Sequence, residues 1–131
     1  MNKFIKLHNT GDNSVIIVRI DKITMFDSTT DANGKCLSEI YVDDDSISSF
    51  SVNENPDKIY EMLVGTKMFI RLHNVTDNSV VCIKQDKLVM FDTSEDEYSN
   101  RLVSEIYVDS DDIDTFKVNE TPDKIYNMIA S

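Results

Sequence analysis

Apolar and polar residues alternate at the start of the chain, as in a strand with one buried face. Ile5 and Leu7 are apolar. Lys6 and His8, which separate and follow them, are polar. A polar turn comes next, and the apolar run at 15–18 supplies an antiparallel partner. The pattern therefore predicts an opening β-hairpin.

Further along, short apolar stretches predict strands around 23–26, 39–42 and 49–52. The polar segment 28–37 between the first two is predicted to be an exposed loop. The hairpin and these strands together predict a small, curled antiparallel sheet.

The next segment carries helix signals. Asn55 before Pro56 marks a helix start, because an Asn side chain caps free backbone N–H groups and proline fits the first helical position. Ile59, Met62 and Leu63 follow at helical spacing and form one apolar stripe. Gly65 is predicted to end the helix.

The whole pattern occurs twice. Residues 4–9, FIKLHN, return as FIRLHN at 69–74, and PDKIY at 56–60 returns at 122–126. The one extra residue of the second copy lies between Asp92 and Ser104. The repeat predicts two tandem domains, 1–65 and 66–131, each near the lower size limit for folding alone.

The expected fold class is α+β, with two tandem copies of a small curled antiparallel β-sheet, each followed by one C-terminal helix. The connection at residues 65–67 is too short for a flexible linker. The two copies are therefore expected to pack as a pseudo-twofold pair. The segments that differ most, 28–37 and 93–103, are predicted to be exposed loops.

Composition narrows the class of protein. With 40% hydrophobic residues the 131-residue chain can form packed cores. Its 24 acidic and 13 basic residues give a net charge of -11, which repels phosphate backbones and argues against direct nucleic-acid binding. The start of the sequence has no long apolar run, so neither a signal peptide nor a membrane span is expected. The expected location is therefore the cytoplasm.

Nothing in the sequence fixes a nucleophile with an oriented base, so no enzymatic activity is expected. The acidic stretches at 43–45 and 109–112 lack the glycine and distal glutamate of an EF-hand, so they are interpreted as solvated turns rather than metal sites. Cys82 is interpreted as a small buried hydrophobe and Cys36 as a loop thiol, with no disulfide and no cofactor expected.

The basic and polar residues of the first strand form the candidate binding face. A cation there could hold an anionic ligand through charge-assisted hydrogen bonds, with imidazole, amide and tyrosine groups beside it. The alternative is that these are edge-strand charges that keep the sheet soluble. The candidate ligand-binding residues are Lys6, His8, Asn9, Tyr41, Arg71, His73, Asn74 and Tyr107.

The order of elements also supports a family resemblance. The motifs that carry it in the first copy are LHN at 7–9, VIIV at 15–18, DKI at 21–23, IYV at 40–42 and SVNE at 51–54. In these the chain resembles the flagellar-protein FlbD-like family of very short bacterial domains, which implies a fold more than an activity. A looser likeness is to small phage anti-defence proteins of the anti-Thoeris type, which sequester nucleotide immune signals.

The leading hypothesis is a non-enzymatic binding protein, a phage-encoded sponge that sequesters a nucleotide-derived immune signal in a pocket between copies or chains. Its expected partners are an anionic small molecule and further copies of itself through the repeats, with no membrane. The alternative is an acidic protein-interaction module or DNA-mimic inhibitor that occupies a basic partner surface.

Overall fold

The computed structural model describes residues 3–111 and 113–130. Three residues named in the predictions lie outside this range: Met1 and Ser131, which bound the predicted domains, and Asp112 of the second acidic turn. The first repeat forms β1 (Phe4–His8), β2 (Val15–Arg19), β3 (Ile23–Thr30), β4 (Cys36–Val42), β5 (Phe50–Val52) and α1 (Pro56–Leu63). The second forms β6 (Phe69–His73), β7 (Val80–Lys84), β8 (Leu88–Glu95), β9 (Leu102–Val108), β10 (Phe116–Val118) and α2 (Pro122–Ala130). The α+β class is confirmed, and both repeats have the same order of elements.

The hairpin of β3 and β4 is longer than the sequence predicts. β3 continues to Thr30 and β4 starts at Cys36, so half of the predicted loop 28–37 belongs to paired strands. Backbone pairing of Thr30 with Cys36 extends the ladder over polar residues, because one side of this hairpin end faces solvent. The second repeat behaves in the same way, with β8 reaching Glu95.

A five-stranded antiparallel sheet joins the two repeats. Its strand order is β5-β4-β3-β7-β6, so the opening hairpin of the second repeat extends the sheet of the first. β3 and β7 pair as Met25 with Ile83, Phe26 with Cys82 and Asp27 with Val81. We call this pairing, with the side chains around it, the inter-repeat joint. The other sheets are the β1-β2 hairpin and the three-stranded β10-β9-β8.

The strands that meet at the joint are not equivalent members of the two repeats. β3 of one repeat meets β7 of the other, and a twofold axis would require a matching pair of β8 with β2. Among the described residues, β2 pairs only with β1, and β8 only with β9. The pseudo-twofold arrangement expected from the sequence is therefore not shown.

The joint makes the second hairpin part of two hydrophobic cores. Phe69 and Cys82 lie in the core of the first repeat, where the Phe69 ring lies 5.6 Å from that of Phe26. Val81 and Ile83, on the opposite face of β7, lie in the core of the second repeat. The interpretation of Cys82 as a buried hydrophobe is confirmed. Both faces of this hairpin are covered, which gives the joint its apolar content.

Helix α1 begins where the sequence predicts. The Asn55 side chain accepts a hydrogen bond of 2.9 Å from the Lys58 N–H, and Ile59 and Leu63 are buried. The predicted stripe is wrong at Met62, which is exposed. Past the helix a short 3-10 turn follows, and the left-handed residue that ends it is Lys67, with φ 57°, rather than Gly65.

Candidate functional site

The two histidines are held by buried carboxylates at equivalent places in the repeats. His8 Nδ1 lies 2.6 Å from Glu54 Oε2, and the His8 backbone N–H donates to Glu54 Oε1 at 3.0 Å. His73 makes the same two contacts with Glu120, at 2.7 and 3.0 Å. We call each such pair of contacts a His–Glu clamp. Each clamp connects the end of the first strand of its repeat to the turn before the helix. The imidazole that the sequence assigns to ligand binding therefore already has a structural partner.

The clamp has an expected effect on stability. Burial raises the pKa of Glu54, but hydrogen bonds from the His8 side chain and backbone outweigh it and hold the pKa below its usual value. A carboxyl with a lowered folded-state pKa contributes stability above its unfolded value of about 4.5 and loses it as pH falls through the folded value. We expect Glu54→Gln to lower the free energy of unfolding by about 1 kcal/mol at pH 7.

Urea denaturation at pH 7 and at pH 3 measures this effect. The difference between wild type and Glu54→Gln should shrink at the lower pH, because the wild-type carboxyl is then losing its charge. Glu61→Gln, an exposed position on α1, is the control and should change stability little at either pH. An equal loss at both pH values would contradict the charged clamp.

The side chains of Asn9 and Asn74 stabilise the turns in which they lie. The side-chain oxygen of Asn9 accepts from the Gly11 N–H at 2.8 Å, and that of Asn74 from the Thr76 N–H at 3.0 Å. Each such contact closes an Asx turn after the first strand of its repeat.

The two cationic candidates lie in different surroundings. Arg71 donates to Asp57 Oδ1 at 3.0 Å, and its guanidinium lies 5.0 Å from the centre of the Tyr60 ring. Asp57 and Tyr60 belong to α1, so Arg71 is part of the inter-repeat joint. Lys6, its counterpart in the first repeat, is exposed. The structure therefore does not bring Lys6 and Arg71 together as one cationic site.

Tyr41 and Asn74 come together at the joint and line a small cleft with two aspartates, Asp27 and Asp114. Neither aspartate is a candidate from the sequence. Burial, followed by the charges of Glu39 and Asp77, raises the pKa of Asp27 to about 7. Burial, with the charges of Asp27 and Glu39, also raises the pKa of Tyr41. Tyr107, the counterpart of Tyr41, lies beside Asp92 on β8, with its hydroxyl 3.5 Å from Asp92 Oδ2.

A larger groove lies on the other side of the joint, and we call it the inter-repeat groove. It has a volume of about 470 Å³ and lies between the far end of the β3-β4 hairpin, the start of α1 and the β6-β7 turn. Hydroxyl and amide side chains from both repeats line it: Ser28, Thr29, Thr30, Asn55, Asn78 and Ser79. Cys36 also faces it, on a strand rather than in the predicted loop.

The charge of the inter-repeat groove comes from two aspartates. Asp57 is paired with Arg71. Hydrogen bonds from the Ser79 side chain and backbone lower the pKa of Asp77, so this carboxylate stays charged at neutral pH. The groove therefore offers hydroxyl groups, amides and one negative charge that no cation of the groove balances.

The groove could not be predicted from the sequence because its walls are far apart in the chain. No local spacing links residues 28–30 with 77–80. The run Val-Val-Cys-Ile at 80–83 is apolar without alternation, as in a strand covered on both faces, but the equivalent run at 15–18 has the same pattern and exposes Val15 and Ile17. The pattern therefore does not distinguish the strand beside the groove from its exposed equivalent.

Comparisons of the chain with protein-family models, with curated proteins and with solved structures give no match. Among residues 3–111 and 113–130, no helix is long and apolar enough to cross a membrane. The same part of the chain contains no group of three or more histidine, cysteine or carboxylate side chains placed to hold a metal ion.

Proposed function

We propose that this chain is a non-enzymatic binding protein that holds a small, polar, nucleotide-derived molecule in the inter-repeat groove. The observation that carries the proposal is a groove of about 470 Å³ with hydroxyl and amide groups from both repeats. That volume lies within the range of about 300–1,000 Å³ typical of small-molecule sites. A protein of this kind acts by sequestration, one molecule held per site.

The polar side chains of the groove favour the nucleoside part of such a ligand over its phosphates. Serine, threonine and asparagine side chains both donate and accept, which suits ribose hydroxyls and the edges of a base. The charged Asp77 accepts from hydroxyl or amino groups and repels phosphates. The nucleoside part therefore lies in the groove, and any phosphate lies at its mouth, away from Asp77.

Isothermal titration with adenosine, cyclic AMP, a cyclic dinucleotide and ADP-ribose tests the proposal. At least one compound is expected to bind with saturation. Cys36→Trp places a bulky ring in the groove and is expected to weaken that binding at least about tenfold, a loss of about 1.4 kcal/mol.

The control for this variant is Glu61→Trp, which adds the same ring on the exposed side of α1 and should leave binding unchanged. Circular dichroism confirms that each variant is folded. If a folded wild-type chain binds none of the four compounds, or if both tryptophan variants bind as wild type does, the proposal is wrong.

A second candidate function is an acidic protein-interaction module. It is favoured by the exposed turn at Asp43–Asp45 on a chain with a net charge of -11. Two of these carboxylates have internal partners, since Lys87 donates to Asp43 at 2.8 Å and Ser46 donates to Asp44. This candidate predicts binding of a Lys/Arg-rich peptide that weakens steeply as salt rises from about 0.05 to 0.5 M, whereas nucleoside binding in the groove should change little.

A further inference from the structure

The inter-repeat joint uses only half of the strand edges that could form it. β3 of the first repeat meets β7 of the second. Because the elements repeat, the chain also contains an equivalent of each joint strand. β2 is the equivalent of β7, and β8 is the equivalent of β3. Among the described residues, each of these strands has one neighbour, so each leaves one edge open.

The open β2 edge presents apolar side chains to solvent. Ile17 is 57% exposed, whereas its equivalent Cys82 is fully buried in the joint. Phe4 on the same hairpin is 50% exposed, whereas its equivalent Phe69 is 5% exposed and packs against Phe26. An ordinary sheet edge is protected by charges or proline, and the apolar run of β2 has neither.

The open β8 edge has the matching character. Met90 is 47% exposed and its equivalent Met25 only 4%. Beside it Val89 is exposed, at the position where the first repeat buries Thr24. Both halves of an apolar joint are therefore present on the surface of one chain, β2 in the first repeat and β8 in the second.

The polar contacts of the joint also have counterparts at the open edges. Within the chain, Arg71 pairs with Asp57 and Lys87 pairs with Asp43. Each of these residues has an equivalent of the same charge: Lys6 for Arg71, Asp123 for Asp57, Lys22 for Lys87 and Asp109 for Asp43. Tyr126, the equivalent of the Tyr60 that packs on Arg71, is exposed.

We propose that a second copy of this chain binds head to tail, with its β2 strand antiparallel to β8 of the first copy. The register of the joint predicts Met90 opposite Val18 of the second copy, Phe91 opposite Ile17, and Asp92 opposite Ile16. The sheet β10-β9-β8 would then continue into β2 and β1 of the second copy and reproduce the five-stranded sheet. Lys6 of the second copy pairs with Asp123.

This interface joins two different surfaces, so every bound copy still offers one open edge of each kind. Repetition of such a contact gives a ring if the rotation closes and a filament if it does not. The proposal is independent of ligand binding in the inter-repeat groove.

Light scattering coupled to size-exclusion chromatography measures the mass in solution. The wild-type chain is expected to elute at multiples of its 15.0 kDa mass. Ile17→Lys blocks the β2 edge and Met90→Lys blocks the β8 edge, because each buries an unpaired charge in the interface. Each variant alone is expected to be a monomer.

Mixing the two variants is the decisive step. The Ile17→Lys chain keeps its β8 edge and the Met90→Lys chain keeps its β2 edge, so together they should form one dimer of twice 15.0 kDa that grows no further. An interface between two like edges would instead let one variant dimerise alone and would give no new species on mixing.

Tyr98→Lys adds the same charge at an exposed loop residue outside the joint and its equivalents, and should leave the wild-type mass unchanged. Because Ile17 and Met90 are exposed in the single chain, both lysine variants should fold, which circular dichroism checks. If either one misfolds, Lys6→Glu serves as a second variant, since it opposes Asp123 and should reduce the mass.

Three results would overturn the proposal: a wild-type chain that stays at 15.0 kDa up to about 1 mM, a folded edge variant that keeps the wild-type mass, or two folded variants that do not combine.

Discussion

Phe26→Ala is expected to lower the free energy of unfolding by about 3–5 kcal/mol. The Phe26 side chain is fully buried on β3 at the centre of the inter-repeat joint, against the ring of Phe69. Its removal leaves a cavity that touches both repeats, and the surrounding strands cannot close it without breaking their pairing. Urea denaturation at pH 7 measures the loss.

The repeat supplies a matched control for this variant. Phe91 is the equivalent residue on β8 and is only partly buried, because within the described part of the single chain no strand covers that side of β8. Phe91→Ala should therefore cost less than half as much. Both variants are compared in an Ile17→Lys background, which keeps the chain monomeric under the proposed assembly. Equal losses at the two positions would mean that the joint does not contribute the difference.

Asp27→Asn is expected to stabilise the protein at pH 8 by about 2 kcal/mol, a value reduced for residual solvent screening. The Asp27 carboxyl is part of the joint, where burial and the charges of Glu39 and Asp77 raise its pKa to about 7. The folded state therefore favours the protonated form. Its contribution to stability is full below the unfolded value of 3.8 and is lost as pH rises to about 7.

The pH profile of unfolding separates this effect from a general one. Wild type should lose stability relative to Asp27→Asn between pH 4 and pH 7, with a constant difference above that range. Asp92→Asn, the equivalent change on the open side of β8, is the control and should alter the profile much less in a monomeric background. A pH-independent difference for Asp27→Asn would contradict the raised pKa.

Local patterns predicted the parts of each repeat well. Alternation in the first strand placed Ile5 and Leu7 in the core, and the Asn55-Pro56 pair marked the start of α1. These features depend on residues a few positions apart, so the spacing of residues in the sequence is enough to predict them. For the same reason the α+β class could be inferred before the structure.

The joint could not be predicted in the same way, because strand partners far apart in the chain leave no local spacing. Ile17 and Cys82 occupy equivalent positions and are both apolar, yet one is exposed and the other buried. Which of the two is covered depends on a third strand, β3. The role of Arg71 was missed for that reason, since its partner Asp57 belongs to the other repeat.

In the candidate site, too, local features could be predicted and contacts between the repeats could not. The eight candidate residues are four positions and their equivalents in the second repeat, but recurrence also marks groups that maintain each copy, such as the His8–Glu54 clamp. The inter-repeat groove draws its walls from unlike parts of the two copies, Thr30 from one and Ser79 from the other. A comparison of the repeats with each other therefore could not reveal it.

Sharing of the β6-β7 hairpin between two cores has a consequence for how the chain unfolds. Loss of either core exposes one face of that hairpin, so the two repeats should melt in one cooperative transition rather than as independent units. A chain nicked at Gly65 should likewise stay together, because the strand donated by the second fragment completes the sheet of the first. The repeats are in this sense complementary fragments of one folding unit.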